Sequence, residues 1–228
     1  FAIGVTVALA PEGLLPTVTL SLAMATRRMA ERNALVRRLS SVETLGETTV
    51  ICTDKTGTLT RNEMTVQRLW APGCGELVVE GAGYEPEGRI LRDGEPVDPG
   101  TVAELLRAGA VCNDARLERR GRDGGWAVVG DPTEGALLAL AGKGGIGIAA
   151  DELPPRLHEF PFSSERMRMT TVNLVDGRRV AYTKGAVEAV LPLTSLGRAA
   201  RERVAAQAER MEREALRVLA LARRPLEG

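Results

Sequence analysis

The apolar run Thr49-Val50-Ile51-Cys52-Thr53, followed at once by Asp54-Lys55-Thr56-Gly57-Thr58-Leu59-Thr60, constrains this chain more than any other stretch. A short apolar run bounded by a turn signal predicts a buried strand. An aspartate at the carboxyl end of such a strand sits where open α/β sheets place their ligand chemistry. Around Asp54 lie a lysine, three hydroxyls and a glycine. They offer a carboxylate nucleophile, a cation to receive negative charge, and a backbone open to close approach because Gly57 has no Cβ. A hydroxyl-rich turn after a strand is the plainer alternative, but it would not require these seven residues in this order.

Composition limits what can surround this loop. With 228 residues, 44% of them hydrophobic, the chain has material for one or two domains with real cores. Aromatics make up only 3%, which argues against nucleic-acid recognition by base stacking, and no nucleic-acid partner is expected. Cys52, Cys74 and Cys112 show neither metal-ligand nor disulfide spacing and fit a reducing compartment. Cys52 is expected as a small core residue of the strand. The lone His158 receives no role.

Residues 1–26 contain no lysine, arginine or aspartate, and Glu12 is their only ionisable side chain. Such a stretch exceeds the roughly 20 residues needed to span a bilayer. A secretory signal would need a basic start and a cleavage site, and neither occurs. A buried helix of a soluble domain is the competing reading. Against it, Arg27, Arg28, Arg32, Arg37 and Arg38 follow directly, as expected at the cytoplasmic end of a membrane helix. Within the segment, Pro11-Glu12-Gly13-Leu14-Leu15-Pro16 should unwind the helix. Unwound backbone at membrane depth is tolerated where it lines a cavity. The carbonyls of Val7, Ala8 and Ala10 would then face a cation, with the carboxylate of Glu12 among them.

After Met64 the composition turns to glycine, proline and charge. Strands are predicted near 64–70, 76–80, 126–130, 168–175 and 178–184, some bounded by turn signals such as Asp93-Gly94 and Asp176-Gly177. Helical patterns fall near 101–112, 133–141 and 198–216. Asp131 is placed to cap the second of these, with Glu134 in its first turn. Residues 71–100 offer no element beyond the strand near 76–80 and are expected to be partly mobile loop. Strands with segregated helices imply an α+β domain.

These residues together resemble the P-type ATPases, cation pumps that pass the terminal phosphate of ATP to an aspartate. The heptapeptide resembles their phosphorylation loop. The likeness implies Asp54 as nucleophile, with Lys55, Thr56 and Thr58 around the phosphoryl group and Mg²⁺ held by Asp54 and Thr56. In the wider phosphatase superfamily a second aspartate stands two residues after the nucleophile. Thr56 occupies that place here, which would let a phosphoenzyme persist. The Pro-Glu-Gly segment resembles the ion-binding half of the fourth transmembrane helix in type II pumps. The stretch from Ala25 to Gly46 looks like their stalk, a lever between Glu12 and Asp54.

Four further places resemble the family's ATP-binding domain. In Gly130-Asp131-Pro132-Thr133-Glu134 the likeness puts Glu134 beside adenine, although a simple helix cap would also explain Asp131. In Phe160-Pro161-Phe162-Ser163-Ser164-Glu165-Arg166-Met167-Arg168-Met169 it puts Phe162 under adenine, where the residues alone favour a core phenylalanine. Lys184-Gly185-Ala186 reads as a strand-to-helix junction whose lysine reaches nucleotide and whose glycine permits close approach. In Leu216-Arg217-Val218-Leu219-Ala220 the likeness puts Arg217 on the phosphates. Met167 departs from the pattern, which commonly has lysine there. No Walker P-loop occurs, so closure of one domain on another would carry ATP to Asp54, with hinges near 61–65 and beyond 220.

The implied fold class is α/β plus α+β. A Rossmann-like HAD phosphorylation domain begins, carries an inserted α+β nucleotide-binding domain, and is preceded by part of a transmembrane helix. The implied divisions are 1–26 membrane helix with its ion-binding break, 27–47 cytoplasmic stalk, 48–63 first strand and loop of the phosphorylation domain, and 64–228 nucleotide-binding domain. ATP and Mg²⁺ are the expected cofactors. The expected partners are the bilayer of the cell membrane, the remaining domains of the same pump, and a hard cation, Ca²⁺ or Na⁺/K⁺, because the ion segment has no thiolate for soft metals. The expected protein is multi-pass, with residues after about 26 cytoplasmic. The later phosphorylation-domain motifs and the actuator domain are not found in these residues, so the chain alone is expected to be inactive. The alternatives are a HAD-type phosphatase and a catalytically incomplete nucleotide-binding fragment.

Overall fold

The computed structural model describes residues 13–120 and 125–227. The chain divides into two compact units, Phe1–Leu59 and Thr60–Gly228.

In the first unit, helix α1 spans Leu14–Glu31 and helix α2 spans Ser40–Gly46. Pro16 lies in the first turn of α1, where its missing amide has no helical partner to lose. The expected unwinding therefore does not reach beyond Gly13. Asn33, at φ 63°, ends the helix. Its N–H donates to Ala30 O at 3.0 Å and the N–H of Ala34 to Met29 O at 2.8 Å, the pair of bonds that closes a helix through a left-handed residue. The stalk expected over 27–47 is thus two helices with a break at residues 32–39, not one continuous lever. Only residues 14–26 precede the first arginine, about 20 Å of helix. Among the described residues no helix is long and apolar enough to cross a membrane. Val7, Ala8, Ala10 and Glu12 lie outside the described residues.

The strand expected at residues 49–53 does not form. Val50 and Ile51 are 74% and 88% exposed, and Cys52, expected in a core, is exposed too. A parallel strand exists only through its neighbours, and among the described residues none pairs with this run. Every ladder described is antiparallel. The start of a Rossmann-like domain is accordingly not seen.

Among its described residues, the second unit holds three sheets. Strands β1 (Arg68–Ala71), β2 (Gly75–Val79), β3 (Ile90–Arg92) and β4 (Glu95–Pro96) form a meander. Asp93 and Gly94, at φ 51° and 88°, join β3 to β4 in the two-residue turn whose twist suits antiparallel strands. Residues 71–100 are therefore more ordered than their composition suggests, with Tyr84 and Ile90 buried. Helix α3 (Ala103–Val111) follows, then the hairpin β5 (Arg116–Arg120) and β6 (Gly125–Val129), then helix α4 (Pro132–Lys143). Strands β7 (Arg156–Ser163), β8 (Arg168–Val175) and β9 (Arg178–Gly185) come next. Asp176 and Gly177, again both at positive φ, close β8 onto β9. Short helix α5 (Val187–Val190), helix α6 (Arg198–Arg213) and strand β10 (Ala220–Pro225) complete the order, and the second sheet runs β10-β9-β8-β7. Helix α6 stops before the expected 216 because Ala215 turns left-handed at φ 60°. Residues 220–225, expected in a hinge, are instead bonded to β9.

Helices α3 and α4 lie between these surfaces. Leu106 and Leu140 pack with Leu69, Leu77, Val79 and Ile90 of the meander. Ala108 and Val111, on another side of α3, pack with Met169, Val180 and Tyr182 of the second sheet. Ala110, Leu138 and Ala141 form a third cluster, with Leu117 and Val128 of the hairpin against it. The N-terminal end of α4 is thereby held close to the end of β9.

Candidate functional site

Asp131 begins the site by starting α4. Its Oδ1 accepts from the N–H of Thr133 at 2.8 Å and of Glu134 at 3.2 Å, satisfying two of the amides that a helix start leaves open. Pro132 at the first helical position costs no hydrogen bond. Burial pushes the Asp131 carboxyl up, but the amides of Glu134 and Thr133, the Thr133 side chain and the nearby charge of Arg217 outweigh it and hold the group below the usual carboxylate range.

With the helix start fixed, Glu134 points into a prepared pocket of donors. Its Oε2 accepts from the N–H groups of Asp114 at 3.0 Å and Ala115 at 3.1 Å. Its Oε1 meets Lys184 Nζ at 2.6 Å. The two side chains are 15% and 9% exposed, so the pair is largely out of water. Lys184 reaches it by strand periodicity. Val180, Tyr182 and Lys184 occupy alternate, buried positions of β9 on the face that packs against α3, and the aliphatic stem of Lys184 continues that row. Asn113 completes the arrangement: its Nδ2 donates to Gly109 O and Glu134 O, and its Oδ1 accepts from the N–H of Ala115.

Gly185 lies against the tip of the β7–β8 hairpin. A Cβ there would collide with the carbonyl of Met167 and the backbone of Arg168. Met167 itself is left-handed at φ 49°, its N–H bonded to Ser163 O at 2.7 Å. Arg166 is spent on the same tip, donating to Ser163 Oγ and Pro161 O. Ser163, Arg168 and Gly185 are ladder partners across β7, β8 and β9. Phe162 therefore lies about two strand spacings, roughly 10 Å, from Gly185. It is 61% exposed and Phe160 is 46% exposed, the latter edge-on to His158 with ring centroids 4.6 Å apart. The core position favoured by the residues alone is not where Phe162 lies.

This unit carries the matched family. A family model, P-type ATPase, cytoplasmic domain N, matches residues 101–228, more than half of the chain. The chain belongs to the P-type cation-transporting ATPases.

The relatives of this ATPase chain agree. It is 44% identical, over 99% of its length, to "Cation-transporting ATPase pma1" of Synechocystis, and 48% identical, over 84%, to "Probable cation-transporting ATPase F" of Mycobacterium tuberculosis. It is 40% identical, over 100%, to "Calcium-transporting ATPase" of Bacillus subtilis. It spans 26%, 21% and 27% of these relatives respectively, about a quarter of a whole pump.

Of the residues singled out in this P-type ATPase sequence, Glu134, Lys184 and Gly185 meet at the end of β9. Arg217 is exposed, and its charge acts on Asp131. Thr133 and Arg217 also line a cleft of about 1090 Å³ bounded by residues of β1, α3, α4, α6 and β10. Asp54 and its neighbours lie in the other unit. There Thr56 and Gly57 break helical geometry, at ψ 121° and φ 76°, and the N–H of Thr56 donates to Asp54 Oδ1 at 3.3 Å. All of residues 54–60 are exposed. Asn113, Asp114, Ala115 and Arg156 were not anticipated. Beside local bonds, each has a partner 19 to 45 positions away, and no local pattern marks such contacts.

Proposed function

We propose that this chain supplies the phosphorylation loop and the nucleotide site of a type II ATP-driven pump for a hard cation, with Ca²⁺ first because relatives carry that ion in their names. The observation that carries the reading is the buried Glu134–Lys184 pair at the end of β9, with Phe162 exposed two strands away in the same sheet, within residues matched by the family's cytoplasmic domain N. A planar base stacks on an aromatic face, and an adjacent polar pair fixes its orientation. Phe162 is the stacking face, Glu134 and Lys184 the polar edge, Gly185 the point of close approach and Arg217 the cation for phosphate.

Asp54 is the nucleophile: a carboxylate oxygen forms a bond to the terminal phosphorus as the bond to the ADP oxygen breaks. Lys55 and the hydroxyls of Thr56 and Thr58 receive the charge of the transferred group. The exposed carboxylate of Asp54 and the carbonyl of Thr56 are hard oxygen donors of the kind Mg²⁺ takes, and no cluster of three or more acidic, histidine or cysteine side chains competes among the described residues. Mg²⁺ there would neutralise phosphate charge. On this reading Val7, Ala8, Ala10 and Glu12 serve the transported ion in a membrane segment, and residues after about 26 are cytoplasmic.

ATP titration of the chain by calorimetry tests the nucleotide site. Binding that weakens at least tenfold in Phe162→Ala supports it, and unchanged affinity in that variant overturns it. In the complete pump, labelled ATP should leave an acid-stable phosphoenzyme that Asp54→Asn abolishes. Label persisting in that variant would place the phosphoryl group elsewhere.

A further inference from the structure

Arg156 opens β7, the strand that carries Phe162, yet its guanidinium is turned toward the end of α3. Nη1 meets Asp114 Oδ1 at 2.5 Å and Glu159 Oε2 at 2.7 Å. Nη2 donates to the carbonyls of Asn113 and Val111. Val111 is the last residue of α3, where carbonyls are left without helical partners and a cation is favourable. Both terminal nitrogens are therefore committed, two contacts to carboxylates and two to backbone. Asn113 and Asp114 belong to the short segment whose next amides, of Asp114 and Ala115, hold Glu134 Oε2. A chain of contacts runs from β7 through Arg156 to residues 111–114, then to Glu134 and to Lys184.

We propose that Arg156 is a positioning residue: it braces the 111–115 segment against β7, so that the Asp114 and Ala115 amides hold one oxygen of Glu134 and leave the other for Lys184. The inference rests on the nucleotide reading above for its consequence and on the hydrogen bonds alone for its geometry. A planar fork with several donors can serve carboxylate and carbonyl at once, which an ammonium group cannot reproduce. The brace also fixes Glu134 relative to the strand that carries Phe162, since the same residue belongs to β7.

The test uses the whole 228-residue chain, with AMP as the probe so that phosphate contacts contribute little. Wild type, Arg156→Met, Arg156→Lys, Glu134→Gln and Arg156→Met/Glu134→Gln are compared for AMP affinity by calorimetry. Amide hydrogen exchange is followed in the same proteins without nucleotide. The expected result is a five- to tenfold loss of affinity in Arg156→Met, only partly restored in Arg156→Lys, with little further loss when it is added to Glu134→Gln. Exchange should rise at Asp114 and Ala115 and stay unchanged at Leu77 and Val79 of the meander. Losses that multiply in the double variant, or unchanged exchange at Asp114 and Ala115, would overturn the proposal. If exchange rises as expected but wild type binds no AMP, the brace stands and the nucleotide reading falls. Should Arg156→Met not fold, Arg156→Lys carries the comparison: wild-type affinity and exchange in it would overturn the need for the fork.

Discussion

Lys184 and Glu134 show how a single contact is held by three kinds of structure. Strand periodicity buries the lysine stem, a helix start presents the glutamate, and a loop supplies its two amides. Removing one partner of such a pair leaves a charge with poor solvation. Lys184→Met should destabilise the second unit by about 3 kcal/mol, the low end for a buried pair because the amides of Asp114 and Ala115 still solvate Glu134. The double variant Lys184→Met/Glu134→Gln should recover part of that loss in urea unfolding; a double variant no better than the single would mean the pair is not what stabilises. Gly185→Ala makes a separate demand, because its methyl meets backbone that cannot swing away. Overpacking of this kind costs about 1–3 kcal/mol, and the lost melting temperature should come with weaker ATP binding as the hairpin tip shifts. Glu134, Lys184 and Gly185 were all visible in sequence through motif likeness. Arg156 was not, because an arginine opening a strand looks like any exposed charge until the fold brings residues 111–114 to it.

Among the elements, those with strong local signals matched the sequence reading and those without did not. The Asp176-Gly177 turn fixed β8 and β9 almost to the residue, and Asp131 announced the start of α4. Strand β7 gave no alternation to read, since most of its residues are exposed and its ladder is interrupted twice. Strand β10 ends in Arg223, Arg224 and Pro225, polar and proline-terminated as an edge strand can be. The opposite error occurred at residues 49–53, where apolar character implied a strand whose partners are not among the described residues. The cap of α4 also carries a pH dependence. Folding lowers the pKa of Asp131, so its ionic contribution is complete above the ordinary aspartate value near 4 and is lost as pH falls through the lower folded value. Asp131→Asn keeps a good capping side chain without the charge. Its stability deficit relative to wild type should therefore be seen at neutral pH and vanish in acid, once pH has fallen below that lowered folded value. A deficit that persists unchanged at that pH would assign it to geometry and not to charge. Asp131→Ala, which loses the cap itself as well as the charge, should cost about 1 kcal/mol at neutral pH, and its deficit should shrink in acid but not vanish, since the neutral side chain still caps.

At the scale of the molecule, the two units differ in what holds them. None of the described residues up to Leu59 is buried, whereas the second unit contains three clusters of buried side chains built around α3 and α4. The composition of the sequence shifts after Met64, and the two units divide at Leu59 and Thr60. It did not show that the described residues of the first would all stay unburied, because apolar residues such as Val50 and Ile51 carry no mark of whether a partner surface is present. Opening free energy follows buried apolar contact, so the first unit should open far more often than the second. Brief trypsin treatment of the chain should cut after residues such as Arg38, Lys55 and Arg61, all exposed. Lys143 and Lys184, at 8% and 7% exposure, should survive until the second unit unfolds globally. Mass spectrometry of the time course should show a persistent product beginning near Asn62, and ATP should slow its later loss if it binds there, since a ligand stabilises the state that binds it. Cleavage after Lys143 or Lys184 as fast as after Lys55 would mean that the helices α3 and α4 do not hold the second unit together in solution.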